Sequence, residues 1–195
     1  MYKGKNIFES SKNKYSYESY SFINCDTINK PIVFLSHKSE DKEYVEKIGE
    51  YLMNAGINIY LDKYDSNLQC ATTEGDPRKV TECIENGINS SNYILCITSQ
   101  NTISSWWVPF EIGYAKNANK KIFSIIRKDV TYIPDFLKIE PIITDISQLN
   151  DFIKKIVKDF SIPLNENYIF NDYLSTGQIQ YASSYHPLSK YLNII

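Results

Sequence analysis

The chain has 195 residues, enough for one well-filled core and short for two full domains. Its formal charge is -2 with Lys, Glu and Asp interspersed, so it lacks the basic field that neutralising a phosphate backbone demands, and no nucleic-acid partner is expected. Cys25, Cys70, Cys83 and Cys96 form no CxxC pair and His37 and His186 lie far apart, which predicts no metal site, reduced thiols rather than a disulfide framework, and Cys83 and Cys96 as small core residues.

No charged, apolar leader opens the chain, and no run approaches the roughly 20 apolar residues of a membrane span. The expectation is a cytoplasmic protein with no membrane partner. Composition shifts near Lys30 and again near Phe160. Residues 1–30 and 161–195 are rich in Tyr, Ser and Asn and hold nine of the 16 tyrosines, a density unlike a charged disordered linker. They are read as N- and C-terminal extensions that hook onto a central domain spanning 31–160.

Within that domain strand and helix patterns alternate. PIVFLS (Pro31 to Ser36) is a short β-branched and aromatic run suited to a buried parallel strand. A helix follows, started by Ser39, Glu40 and Asp41, buried through Tyr44, Val45, Ile48, Tyr51, Leu52 and Ala55, and stopped at Gly56; the charged run Glu40 to Glu43 is expected to be a solvated face. INIYLD (Ile57 to Asp62) is the second strand. KYDSNLQCATTEGDPRK after it is polar and without period, a long loop of the kind that is often functional. Asp76 and Pro77 then cap and open a helix with Val80, Cys83, Ile84, Gly87 and Ile88 inward, and YILCIT (Tyr93 to Thr98) is the third strand.

The next helix carries the sequence's most informative stretch, WWVPFEIGYA. With Trp107 and Pro109 in its first turn, helical spacing predicts an inward stripe of Trp107, Phe110, Glu111, Tyr114, Ala115 and Ala118, so an acid falls among apolar residues. KKIFSII (Lys120 to Ile126) is the fourth strand and PIITDI (Pro141 to Ile146) the fifth. A last helix is buried through Leu149, Phe152, Ile153, Ile156, Val157 and Phe160. Five short apolar strands separated by helices predict an α/β fold: a doubly wound, five-stranded parallel sheet with helices on both faces.

Such sheets bind ligands beyond the carboxyl ends of their strands. That rule selects Ser36 and His37, Asp62, Ser99, and the turn leading to Trp107 and Glu111. No GxGxxG follows the first strand and neither GxxxxGK[ST] nor GxSxG occurs, which disfavours dinucleotide-binding dehydrogenases, P-loop NTPases and serine hydrolases. What remains is one carboxylate beside aromatic rings.

FLSHKSED (Phe34 to Asp41), GINIYLD with its long loop, IENGINSSNYILCITSQN and SSWWVPFEIGYA, in that order, resemble the Toll/interleukin-1 receptor (TIR) domain of the bacterial type over roughly residues 31–160. The resemblance implies a flavodoxin-like fold and, for many members, hydrolysis or cyclisation of NAD at the nicotinamide glycosidic bond. The essential acid of the family's W-x-x-x-E motif falls on Glu111, behind Trp107, and its pocket aromatic and serine fall on Phe34 and Ser36. The loop after Asp62 matches the family's BB loop, used in self-association through TIR–TIR contacts. NAD would be substrate, with no resident cofactor. The small chain is also similar to the separate TIR signalling component of Thoeris-type antiphage systems, in which a partner effector detects a nucleotide signal.

Chemistry gives an independent reason for a lone acid. Nicotinamide leaves a cationic pyridinium as a neutral base, so no general acid is needed, unlike the two-carboxylate arrangement of O-glycosidases. One fixed anion can stabilise an oxocarbenium-like ribose. The expected set is therefore catalytic Glu111, with Phe34, Ser36, His37, Asp62, Ser99 and Trp107 binding substrate. Plain alternatives stay open: Phe34 and the tryptophans as core, Ser36, Ser99 and Asp62 as turn residues, and His37 as merely adjacent. Two other functions also remain, a non-catalytic TIR adaptor and a nucleoside N-glycosidic hydrolase or transferase.

Overall fold

The computed structural model describes residues 3–7, 30–161 and 186–194; most of the tyrosine-rich flanks, and Cys25, lie outside the described residues. In chain order the elements are β1 (Ile32–Ser36), α1 (Lys42–Asn54), β2 (Asn58–Tyr60), α2 (Ser66–Glu74), α3 (Pro77–Asn89), β3 (Tyr93–Thr98), α4 (Trp107–Asn117), β4 (Lys121–Ile126), α5 (Asp135–Lys138), β5 (Ile142–Ile143) and α6 (Ile146–Asp159). All five strands are parallel, in the order β2-β1-β3-β4-β5. This is the expected doubly wound fold.

Strand alternation divides the core in two. Val33 and Leu35 of β1 and Tyr93, Leu95 and Ile97 of β3 face α1 and α6, where Ile48, Leu52, Phe152 and Ile156 are buried. Ile32 and Phe34 with Ile94 and Cys96 face the opposite layer, meeting Leu68 of α2, Ile84 and Ile88 of α3, and Val108, Ile112 and Ala115 of α4. Because β1 leads to a helix on one face and β3 to a helix on the other, their loops part between the two strands, which is where the topology opens a crevice.

Two expectations are corrected. The segment after Asp62 is not an unpatterned loop. It forms one tight turn at Asp62–Tyr64 and then α2, whose N-cap Asp65 accepts from the amides of Asn67 (2.9 Å) and Leu68 (3.2 Å) and whose C-terminus closes at Gly75 with φ 67°. Only Leu68 and Ala71 of α2 are buried, too few to write a hydrophobic period, so its caps were the legible signal. The second correction concerns Glu40 to Glu43. Asp41 is 3% exposed, accepting from Ser99 Oγ (2.5 Å) and Asn101 Nδ2 (2.9 Å), with Arg127 Nη1 at 3.6 Å, and thereby ties the β1 loop to those after β3 and β4.

Residues near the start of the chain cover the β2 edge of the sheet. Residues 3–7 run along β2, with the Ile59 amide donating to Lys5 O and the Ile7 amide to Ile59 O, each at 3.0 Å. Beyond the carboxyl ends of β4 and β5, Tyr191 O accepts from the Lys128 amide and Asn193 bridges to Asp145, while Leu188 and Leu192 are fully buried in the α1-side core. Covering the β2 edge removes unpaired backbone there that invites strand-to-strand aggregation. Gly4 makes the first contact possible, since a Cβ there would lie 1.9 Å from Ile57 O, closer than any atom can sit. Gly4→Ala is therefore expected to detach residues 3–7, and hydrogen exchange should show the Ile59 amide losing protection while the β3 amides keep theirs.

Candidate functional site

α4 positions the acid. Its first turn accommodates Pro109, whose missing N–H would lack an intrahelical partner there in any case, and the Val108 amide donates to Ser105 Oγ at 3.2 Å. The buried face is Val108, Glu111, Ile112 and Ala115, rotated from the expected stripe. Trp107 is 42% exposed and Trp106 92% exposed, while Phe110 and Tyr114 are half-buried. The reason lies in the sequence: Trp107, Val108, Phe110, Ile112, Tyr114 and Ala115 leave the helix apolar nearly all round, so spacing alone cannot fix its phase. Glu111 belongs to the inward face in either phase.

Glu111 is 6% exposed and its Oε2 accepts from Ser36 Oγ at 2.5 Å. Ser36 ends β1 on the same face as Phe34, so the strand's alternation aims its hydroxyl at α4. Burial is the main influence on the carboxyl; the Ser36 hydrogen bond opposes it and the nearby charge of Asp62 adds to it, and the pKa is pushed up to about 8. Glu111 is therefore largely protonated at neutral pH. Ser36→Ala removes the group that favours the anion, so the Glu111 titration, followed by carbon NMR of its carboxyl, should move above about 8.

His37 and Asp62 flank this pair. His37 Nδ1 lies 2.9 Å from Leu35 O, a contact that requires its proton on that nitrogen, and this leaves Nε2 facing Asp62 Oδ1 at 3.6 Å. Cys96, in register with Ser36, forms the floor beside Glu111, and burial pushes its thiol up to about 12, so it is neutral. The sequence placed Cys96 in the core but not beside the acid, because strand register is not visible in one chain.

The other expected residues separate. Phe34 is 2% exposed and its ring stacks on Tyr60 at 4.9 Å, as part of the core beneath the site. Ser99 is 0% exposed and turns to the α1 side, bonded to Asp41 rather than to Glu111. Trp107 meets Phe110 edge-on at 5.9 Å one turn above Glu111, leaving part of its surface open. Thus Ser36, His37, Asp62, Trp107 and Glu111 gather at one rim. Among the described residues no cluster of His, Cys, Asp or Glu suited to a metal is present, and no helix is long and apolar enough to cross a membrane.

A family model described as the TIR domain matches residues 33–156, well over half of the chain. The chain belongs to the TIR domain family. Over 98 residues, half of this TIR chain, it is 30% identical to the "Putative cyclic ADP-D-ribose synthase TIR2" of Cytobacillus dafuensis, covering 25% of that protein. Over 80 residues, 40% of the chain, it is 35% identical to the "NAD(+) hydrolase TirS" of Staphylococcus aureus (strain MSSA476), covering 26% of it. The TIR chain thus spans about a quarter of the length of each of these relatives.

Proposed function

We propose that this TIR chain cleaves the nicotinamide–ribose bond of NAD at Glu111 and yields ADP-ribose or a cyclic or conjugated ADP-ribose signal. The observation that carries the proposal is the buried carboxyl of Glu111, held by Ser36 where the strands end. The names of the two relatives support NAD as the substrate class.

On this reading the resting acid is neutral, and arrival of the pyridinium cation makes it release its proton to solvent and become the carboxylate, because a positive charge in a desolvated site favours the anion. The C1′–N bond then breaks, its electron pair passes to the pyridinium nitrogen, and nicotinamide leaves neutral. The carboxylate stabilises the charge left on the ribose, a contribution of roughly 3 kcal/mol, or about a hundredfold in rate. Water attack at C1′, with a proton passing to Glu111, gives ADP-ribose. Attack by a nucleophile on the adenine or on an acceptor gives the cyclic or conjugated product. Ser36 fixes the carboxyl's aim, His37 and Asp62 supply polar partners for ribose hydroxyls, and Trp107 supplies a surface for a ring. No resident cofactor is required.

The wider setting we propose is cytoplasmic antiphage defence of the Thoeris type, in which the product travels to a separate effector and turnover rises on self-association. The second reading, a non-catalytic assembly module, draws on one observation: Glu111 is already satisfied by Ser36 and almost out of solvent, as a structural acid would be. Incubating concentrated protein with NAD and a crowding agent and separating the products by chromatography distinguishes the two. The enzyme releases nicotinamide in step with an ADP-ribose product; the module leaves NAD intact under every condition of assembly.

A further inference from the structure

On the α1 side of the sheet, away from Glu111, the turn after β4 and residues 190–191 enclose a cleft of about 340 Å³ with the start of α1. Arg127, Lys128 and Lys190 face four carboxylates, Glu40, Asp41, Glu43 and Asp129, so the lining sums to a single negative charge. Several of these groups are already paired. Asp129 accepts from Arg127 Nε and Nη2, each at 2.5 Å, and Glu43 accepts from Lys190 at 3.0 Å and from the Tyr191 hydroxyl at 2.6 Å. Lys128 Nζ donates to the carbonyl of Ser189 at 2.9 Å, and no carboxylate pairs with it among the described residues.

Tyr44 differs from all of these. Its ring is 1% exposed and lies tilted against Tyr191 at 4.7 Å between centroids, yet its hydroxyl is buried without a hydrogen-bond partner. The same hydroxyl senses the charges of Arg127, Asp129 and Asp41, all cleft residues, and burial keeps it protonated, so it can both donate and accept. A buried polar group left unmatched is rare enough to need an explanation, and this one belongs to the lining of the cleft.

The lining also selects a chemistry. Charges that nearly cancel exert little pull on a phosphate or a polycation, whereas hydroxyls can donate to the carboxylates and accept from the cations in turn, against an apolar wall of tyrosine rings. We propose that this cleft is a second ligand site, taking a neutral, hydroxyl-rich molecule of sugar or nucleoside size with the Tyr44 hydroxyl as its buried partner. The site stands on the α1 side and does not depend on NAD cleavage at Glu111.

The test is calorimetric titration of the full chain with ribose, adenosine and inorganic phosphate. Saturable binding of ribose, or of adenosine alone if the base is needed, is expected, with phosphate silent. Tyr44→Phe deletes only an oxygen without a partner, so it should leave the melting temperature unchanged or raised while weakening the sugar or nucleoside about tenfold. Ribose or adenosine bound at the Glu111 rim contributes equally in the natural chain and in Tyr44→Phe, so the difference between those two reads the second site alone. If Tyr44→Phe does not fold, amide shifts on adding ribose or adenosine to the natural chain replace it, expected at residues 127–129 and 190–191. Absence of saturation by ribose and adenosine up to ~10 mM, phosphate binding in their place, equal affinity in Tyr44→Phe, or shifts confined to other regions overturns the proposal.

Discussion

Glu111→Gln is expected to be more stable than the natural chain in alkaline solution, by roughly 3 to 5 kcal/mol at pH 9, and nearly equal to it at pH 4. The sign follows from the raised carboxyl, which moves from an ordinary 4.5 to about 8 in the folded chain. Between those values the unfolded chain has lost the proton and the folded chain has kept it, so stability falls as pH rises, at about 1.36 kcal/mol per unit, and the loss is complete above the folded value. Glutamine does not titrate. The difference between the two proteins should therefore be flat below 4.5, open through neutrality and level off above 8, whereas other carboxylates titrate in both and cancel. Denaturant unfolding at several pH values measures it. A constant difference across the range would show that the acid is not held protonated by burial.

A loss of stability is expected on the other side of the sheet. Asp41→Ala removes the acceptor for Ser99 and Asn101 and leaves Arg127 without one of its two carboxylates, at a position 3% exposed. Breaking a buried, charged network from one end costs about 3 to 5 kcal/mol, which for a chain of this size lowers the melting temperature by roughly 10 °C. Asp41→Asn can still accept from Ser99 and should lose less. Glu43→Ala is the contrast: its carboxylate is exposed and joined to Lys190 and Tyr191 at the surface, so the change should be small. Equal melting temperatures for the natural chain and Asp41→Ala would contradict the view that this aspartate ties the loops together.

How much the sequence disclosed depended on the kind of signal. Tyr93 to Thr98 was legible to the residue, since a run of β-branched and aromatic residues bounded by polar turns has few other readings. Asp76 and Pro77 declared the start of α3 through cap chemistry. The phase of α4 was not legible, because a helix apolar on every side carries no moment. Ser99 carries its signal in the strand's alternation. It follows Tyr93, Leu95 and Ile97 in the period of two, so its side chain belongs to the α1 face, opposite to that of Ser36 and Glu111. The pairing of Ser36 with Cys96 depends on strand register, which local pattern does not contain.

Glu111 is a carboxyl that costs stability where it stands. Burying an acid against its preference for water is a common arrangement where its charge is needed later, as part of the chemistry. The most direct measurement compares nicotinamide release from NAD by the natural chain and by Glu111→Gln at pH 8.5, both shown folded and at equal concentration. Release by the natural chain and a fall of at least about a hundredfold in the variant are expected; equal release by both proteins would exclude Glu111 as the catalytic group.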